Sequence, residues 1–213
     1  IKRLFRNSRI IGRRFRLVHI TFADKVLEIS TFRAATPITG HGPELLIRHD
    51  NTFGTLEEDA VRRDFTINGL FYDVDAREVI DCVGGMADLE RRMVRTIGDP
   101  WVRYQEDPVR MLRAIKFAGR LGLEVDGPSY EAILDCHQEI RKAAVPRILE
   151  EILRLVNRGG AAQSMRLLYK TGLFHVILPE VAERVDAEIA TGGPSTFLAL
   201  LTELDARIRS GPV

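Results

Sequence analysis

Apolar and polar positions alternate with a period of two in FRLVHITF (15–22): Val18, Ile20 and Phe22 fall on one face, and Leu17, His19 and Thr21 on the other. The alternation resumes in KVLEISTFR after Ala23-Asp24-Lys25, so the two runs predict a β-hairpin. Residues 34–54 are rich in Thr, Pro, Gly and His and read as a loop. In TLEEDAVRR, Thr55 stands three residues ahead of Glu58, a capping box that opens a short helix. FTINGLFYDV and REVIDCV predict a second strand pair turning near Asp75-Ala76, and Gly84-Gly85 precede a helix in MADLERRMV. From Asp99 onward the apolar period is helical throughout. Pro108 sits at a first helical position behind Asp107, and Met111, Leu112, Ile115 and Ala118 form one stripe. PRILEEILRLVN repeats the pattern with Ile148, Leu149, Ile152, Leu155 and Val156 and stops at Gly159-Gly160, with further helices in AAQSMRLLYKTG and PSTFLALLTELDARI. The fold class is therefore α+β: a mixed head over residues 1–98 and an all-α second part over 99–213.

Of the 213 residues, 45% are hydrophobic, which supplies a core, and 29% are charged, below the range of a disordered chain. The net charge of +1 hides an asymmetry: residues 1–40 hold nine Lys or Arg, among them Arg13, Arg14 and Arg16, against Asp24 and Glu28. Such a block suits a polyanion such as RNA or a triphosphate, and a solvated basic face is the plainer reading. Cys82 and Cys136 have no metal-ligand spacing and read as reduced thiols of a cytoplasmic protein. No apolar run approaches the roughly 20 residues of a membrane span, and the opening residues, basic with no apolar run behind them, do not read as a signal peptide. The chain opens on IKRLFRNSR without an initiator Met, so it reads as part of a longer protein.

Two segments carry chemistry, EEDAVRRDFTIN (57–68) and EDPVRMLRAIKF (106–117). In the first, Arg62, Arg63 and Asp64 end a helix, while Thr66 and Asn68 share one face of the following strand and Phe65 and Ile67 point into the core. A guanidinium, a carboxylate and an amide at one junction suit a triphosphate and a ribose; a surface ion pair with a capping Asn is the alternative. In the second, Asp107, Arg110 and Arg113 step by three on the side opposite the apolar stripe. Together they offer an acceptor and donors that match a base edge, or simply an N-cap with its ion partner. Glu28 faces away from Leu27 and Ile29, where it is either a metal ligand or an exposed edge residue. His19 is equally open. The chain has no Gly-rich phosphate loop, dinucleotide fingerprint or Ser-His-Asp arrangement, and none of its five histidines has metal-site spacing.

Taken together these stretches resemble the template-independent RNA nucleotidyltransferases, the group of bacterial poly(A) polymerases and tRNA CCA-adding enzymes. EEDAVRRDFTIN looks like the nucleotide-binding motif and EDPVRMLRAIKF like the template motif with the start of the neck helix. DCVGGMADLERRMVRTIGDP resembles the linker between them. IIGRRFRLVHITF and RHDNTFGTLEEDA are more similar to the poly(A) polymerase version, and the likeness extends over residues 1–180.

The resemblance implies a polymerase-β-like head followed by a helical, RNA-binding neck and body. It implies transfer of AMP from ATP to the 3′ hydroxyl of RNA with release of pyrophosphate, assisted by two Mg²⁺ ions. By position, Arg63, with Arg62 beside it, and Asn68 would hold triphosphate and sugar, and Asp64 would be the adjoining motif carboxylate. Asp107 and Arg110 would read the base, Arg113 would support the pocket, and Glu28 would be a third acid facing the metals. Arg63 and Arg110 are accordingly expected to open onto one cleft. The family's Asp-x-Asp metal pair lies upstream of what this chain contains; Asp73-Val74-Asp75 falls in a turn and does not replace it. These residues alone are therefore expected not to catalyse. CCA addition to tRNA and a non-catalytic RNA-binding module of the same fold are the alternatives.

Overall fold

The hairpin at residues 17–29 forms as its alternation dictates. In a computed structural model that describes residues 1–12, 17–34, 52–192 and 195–211, β1 (Ser8–Ile11), β2 (Leu17–Phe22) and β3 (Lys25–Ile29) make an antiparallel sheet in the order β1-β2-β3. Phe22 pairs with Lys25 across a two-residue turn in which Ala23 takes a positive φ of 47°. Ile20 is fully buried. Helix α1 (Leu56–Arg62) starts at the expected capping box: the Glu58 N–H donates to Thr55 Oγ1 at 3.2 Å and the Thr55 N–H to Glu58 Oε2 at 2.8 Å. Most of the expected loop lies outside the described residues; its ends are joined, with Arg33 bridged to Phe53. These elements make one compact unit, Ile1–Arg63, and Asp64–Val213 make a second.

The second unit opens with a single 3-10 turn, Thr66–Asn68, followed by the hairpin β4 (Leu70–Asp73) and β5 (Glu78–Asp81). Asp73 accepts from the Asp75 and Ala76 N–H groups, so Asp73-Val74-Asp75 is turn chemistry, as expected. Then come α2 (Gly85–Glu90), β6 (Met93–Val94), α3 (Pro100–Glu106), α4 (Val109–Leu121), β7 (Glu124–Val125) and α5 (Gly127–Cys136). The chain continues with α6 (Val145–Asn157), α7 (Ala161–Lys170), α8 (Leu173–Ile177), α9 (Pro179–Ala190) and α10 (Thr196–Ser210).

Three expectations are corrected here. Residues 65–68 are not strand: the Asn68 N–H donates to the Phe65 carbonyl at 2.9 Å and the Gly69 N–H to Thr66 at 2.9 Å, and Thr66 is as buried as Phe65. The short polar side chain of Asp64, which accepts from the Phe65 N–H and from Asn68, stabilises a local turn against the extended form. The helix expected through residue 94 ends at Glu90, because Arg92 adopts φ 57° and Met93–Val94 leave as a strand. The part beyond residue 99 is not helical throughout. Gly122 ends α4 in the left-handed region at φ 62°, and Glu124–Val125 then pair in parallel with β6.

Helix α4 is the axis of the second unit. Its stripe Met111, Leu112, Ile115 and Ala118 is buried with Phe65, Tyr104, Ile133, Leu168 and Phe174. Each large apolar side chain removed from water contributes roughly 1.5–3 kcal/mol. Phe65 meets Phe117 edge to face at 5.8 Å between centroids, which packs the 3-10 turn onto α4. At the crossing of α4 with α7 the backbones nearly touch: a Cβ on Gly119 would lie 2.0 Å from Ser164 Oγ, and one on Gly160, at φ 78°, 2.3 Å from the Gly119 carbonyl. Among the described residues no helix is long and apolar enough to cross a membrane.

Candidate active site

In the first unit, the carboxylate of Asp59 gathers three arginines. Asp59 is 6% exposed and lies one helical turn before Arg63, whose Nε and Nη2 donate to Oδ2 at 3.2 and 3.0 Å. The Arg33 N–H donates to Oδ1 at 3.1 Å, and Arg62 Nη1 stands 3.8 Å from the same oxygen. Three guanidiniums around one carboxylate leave an excess of positive charge at the end of α1. Arg63 is the C-cap of that helix and its side chain is 41% exposed.

In the second unit, Asp64 ties the two motif segments together. Its Oδ1 accepts from the Phe65 N–H at 3.0 Å and from Asn68 Nδ2 at 2.8 Å, while its Oδ2 accepts from Arg113 Nε of α4 at 2.5 Å. Asn68, placed by the 3-10 turn, and Arg113, 49 residues further along, are thereby held on one buried carboxylate. Both Asp64 oxygens are engaged. Arg113 continues to Glu151 of α6, its Nη1 3.6 Å from Oε1, and Glu151 binds Lys116 in a buried ion pair.

Asp107 and Arg110 are not each other's partners. Asp107 closes α3 with φ −148°, and its Oδ2 accepts from Arg147 Nη2 of α6 at 2.7 Å. That hydrogen bond raises the Arg147 pKa above its ordinary value. The Asp107 Oδ1 has a long contact, 3.4 Å, with the Val109 N–H. Arg110 is 8% exposed, and its Nη1 donates to Glu106 Oε2 and to the Arg103 carbonyl, both at 2.8 Å. Arg103 Nη1 reaches the same Glu106 oxygen at 2.7 Å. Two guanidiniums thus share one carboxylate. Burial, and then the neighbouring Arg110, push the Arg103 pKa down.

Of the residues picked from the sequence, Arg62 and Arg63 lie in the first unit, and Asp64, Asn68, Asp107, Arg110 and Arg113 in the second. Arg13, Arg14 and Arg16 lie outside the described residues. Glu28 is exposed on β3, directly opposite His19 on β2, whose Nε2 is 3.0 Å from Glu28 Oε2. Among the described residues no three or more His, Cys, Asp or Glu form a group able to hold a metal ion, so Glu28 does not sit in a metal site that these residues compose. Cys82 is exposed and Cys136 is buried, both as free thiols.

Sequence reasoning passed over Asp59, Glu106, Arg103, Glu151, Lys116 and Arg147. The first three carried a signal, since Asp59–Arg63 and Glu106–Arg110 are spaced by four and Arg103–Glu106 by three. The pairings of Lys116 with Glu151 and of Arg147 with Asp107 carried none, because they join residues 35 and 40 apart.

The first unit is a small antiparallel sheet with a helix ending in arginines, and the second is a helical part that carries an acid-and-arginine edge. Residues 1–95 match the family model described as the poly A polymerase head domain, and residues 122–184 match the one described as the probable RNA and SrmB-binding site of polymerase A. The chain belongs to the poly(A) polymerase and CCA-adding enzyme family. It is 40% identical over 188 residues to poly(A) polymerase I of Escherichia coli O6:H1, covering 85% of this chain and 40% of the relative. With poly(A) polymerase I of Salmonella typhi the identity is 36% over 99% of this chain and 47% of the relative. The CCA-adding enzyme of Lactobacillus helveticus is 32% identical over 81% of this chain and 42% of the relative. The Bacillus stearothermophilus CCA-adding enzyme, solved in complex with CTP, superposes with a TM-score of 0.68 at 29% identity, over 80% of this chain and 40% of that one. The chain thus spans less than half the length of these relatives.

Proposed function

We propose that the protein carrying this chain transfers AMP from ATP to the 3′ hydroxyl of RNA without a template, releasing pyrophosphate. The observation that carries this reading is the Asp64–Arg113 pair at 2.5 Å, which fastens the nucleotide motif to the helix bearing the template motif. The identities to poly(A) polymerases favour polyadenylation as the product. RNA 3′ ends and ATP are then its partners, met in the cytoplasm.

Within the proposed reaction each residue has a physical task. Arg62 and Arg63 neutralise the triphosphate, which suits the cation excess around Asp59. Asn68 contacts the ribose and Arg113 holds the pocket's wall against Asp64. The Asp107 Oδ1, with only its long N–H contact, accepts from the adenine amino group. Arg110 retains N–H donors on Nε and Nη2 for a ring nitrogen, while its Nη1 is anchored on Glu106. The chemistry that Mg²⁺ supplies is activation of the attacking hydroxyl and neutralisation of the leaving pyrophosphate. The described residues do not make up its site, Glu28 being the one acid among them that would face it.

A second reading, CCA addition to tRNA, is favoured by the superposition on the CCA-adding enzyme. Incubating the full-length gene product with RNA and either ATP alone or CTP with ATP separates the two. A long homopolymer from ATP alone supports polyadenylation. A three-nucleotide tail that needs CTP replaces it with CCA addition, and RNA binding without extension leaves a binding module.

A further inference from the structure

Helix α6 lies outside both motif segments, yet it holds the two ends of the template motif. Arg147, in its first turn, donates to Asp107, and Glu151, one turn later, takes Arg113 and Lys116. The four-residue spacing of Arg147 and Glu151 puts both on one side of α6, facing α4. The backbone supports this placement, since the Arg147 N–H donates to the Ala144 carbonyl at 2.9 Å and fixes the helix start beneath its side chain. Asp107 sits in the short break between α3 and α4, in extended backbone; its N–H closes α3 on the Arg103 carbonyl at 3.3 Å, and its Oδ1 has the long 3.4 Å contact with the Val109 N–H. Arg110, three residues on, turns to Glu106 and Arg103 instead.

We propose that Arg147 is a specificity-positioning residue: by holding Asp107 Oδ2 it aims Oδ1 at the incoming base and so sets the preference for adenine. This rests on the proposed nucleotide transfer. The carboxylate has two oxygens, and a charge-assisted hydrogen bond from one guanidinium N–H to Oδ2 restricts rotation about the side chain's last bond, leaving the other oxygen as an oriented acceptor. A fixed acceptor favours an amino group presented at one position over the same group presented elsewhere by another base, and over a carbonyl. Arg147 does not touch the nucleotide in this scheme. Its side chain is 54% exposed, so as a structural tie alone it would count for little.

The test uses the full-length gene product with RNA primers, measuring kcat/KM for ATP and for CTP, and the melting temperature, in wild type, Arg147→Ala and Arg147→Lys. The expected result is a roughly ten-fold fall in the ATP-to-CTP preference in Arg147→Ala, below the roughly hundred-fold that a 1 Å misplacement of a reacting group costs. The loss falls on ATP and appears mainly in KM. Arg147→Lys, which keeps the charge and loses the planar guanidinium and its reach, recovers part of the preference. A preference within two-fold of wild type in both variants overturns the proposal. So does a loss of rate shared equally by ATP and CTP, which marks Arg147 as a packing tie. If Arg147→Ala does not fold, Arg147→Lys decides: a weakened preference supports the proposal and an unchanged one overturns it. A wild-type protein that extends no primer brings down the transfer reaction itself, and this inference with it; an active wild type whose variants keep their preference brings down this inference alone.

Discussion

Removing the carboxylate of Glu151 strands a charge. Lys116 is 8% exposed and Glu151 5%, and the two form a buried ion pair between α4 and α6. A buried ammonium that loses its partner typically costs about 3–5 kcal/mol, so Glu151→Leu is expected to destabilise the chain by that amount. At about 2–4 °C per kcal/mol for a chain of this size, the melting temperature falls by about 6–20 °C. Lys116→Met is milder, about 1–2 kcal/mol, because Glu151 keeps Arg113 at 3.6 Å and Arg154 at 3.5 Å. The double variant replaces the pair by apolar side chains of similar volume, and its loss is expected to be about 2 kcal/mol, far below the sum of the singles. The coupling is then about 3 kcal/mol, the upper end for residues in contact. Urea denaturation followed by helical circular dichroism on the four proteins gives the cycle. Additive losses, or a Glu151→Leu variant as stable as wild type, would refute the reasoning that α6 is clamped to α4 by a desolvated charge pair.

Further outcomes follow from other sites. Gly119→Ala places a methyl 2.0 Å from Ser164 Oγ and 3.0 Å from the Gly160 carbonyl, so α4 and α7 must separate; a loss of about 1–3 kcal/mol or more is expected by denaturant titration, and Ser164→Ala restores only part of it. Tyr169 donates to Asp186 Oδ1 at 2.5 Å, which lowers the Asp186 pKa below 3.8 and raises that of Tyr169 above 10.0. A depressed carboxylate adds stability above its unfolded pKa that is lost as pH falls through the folded one; a raised phenol adds stability below its unfolded pKa that is lost as pH rises through the folded one. Wild type should therefore lose melting temperature relative to Asp186→Asn at both extremes, below about pH 3.8 and above about pH 10. A constant difference across that range would contradict the coupling. Arg63→Ala should raise the apparent KM for ATP roughly ten- to hundred-fold, the worth of a charged hydrogen bond, and an unchanged KM would take Arg63 out of the pocket.

What could be read beforehand follows the range of each interaction. The β2–β3 hairpin, the Thr55–Glu58 capping box and the α4 stripe are set by neighbours within a few residues, and each stands in the structure. The 3-10 turn at Thr66–Asn68 escaped because alternation in FTIN imitates a strand, while the deciding contacts run from Asp64 to the Phe65 N–H and the Asn68 amide. The strand Glu124–Val125 escaped because its pairing partner is β6, some thirty residues earlier, and two residues carry no period of their own. Among the candidate site residues, spacing picked out the motif positions but not their pairing. Spacing suggested Asp107 with Arg110, whereas Asp107 turns to Arg147, and Arg110 on α4 reaches back across the helix break to Glu106, the last residue of α3. One-dimensional spacing finds partners on one helix and is blind to a helix that arrives from forty residues away.

Asp64 and Arg113, hydrogen-bonded at 2.5 Å, are proposed to hold two distant motifs in one nucleotide site. ATP binding by the full-length gene product, measured calorimetrically for Asp64→Asn, Arg113→Gln and the double variant at a temperature where all are folded, tests it directly. The account predicts that each single change weakens ATP binding and that the double weakens it little further, because either change already breaks the same link. Singles that bind ATP as wild type does, or losses that add in the double, would contradict it.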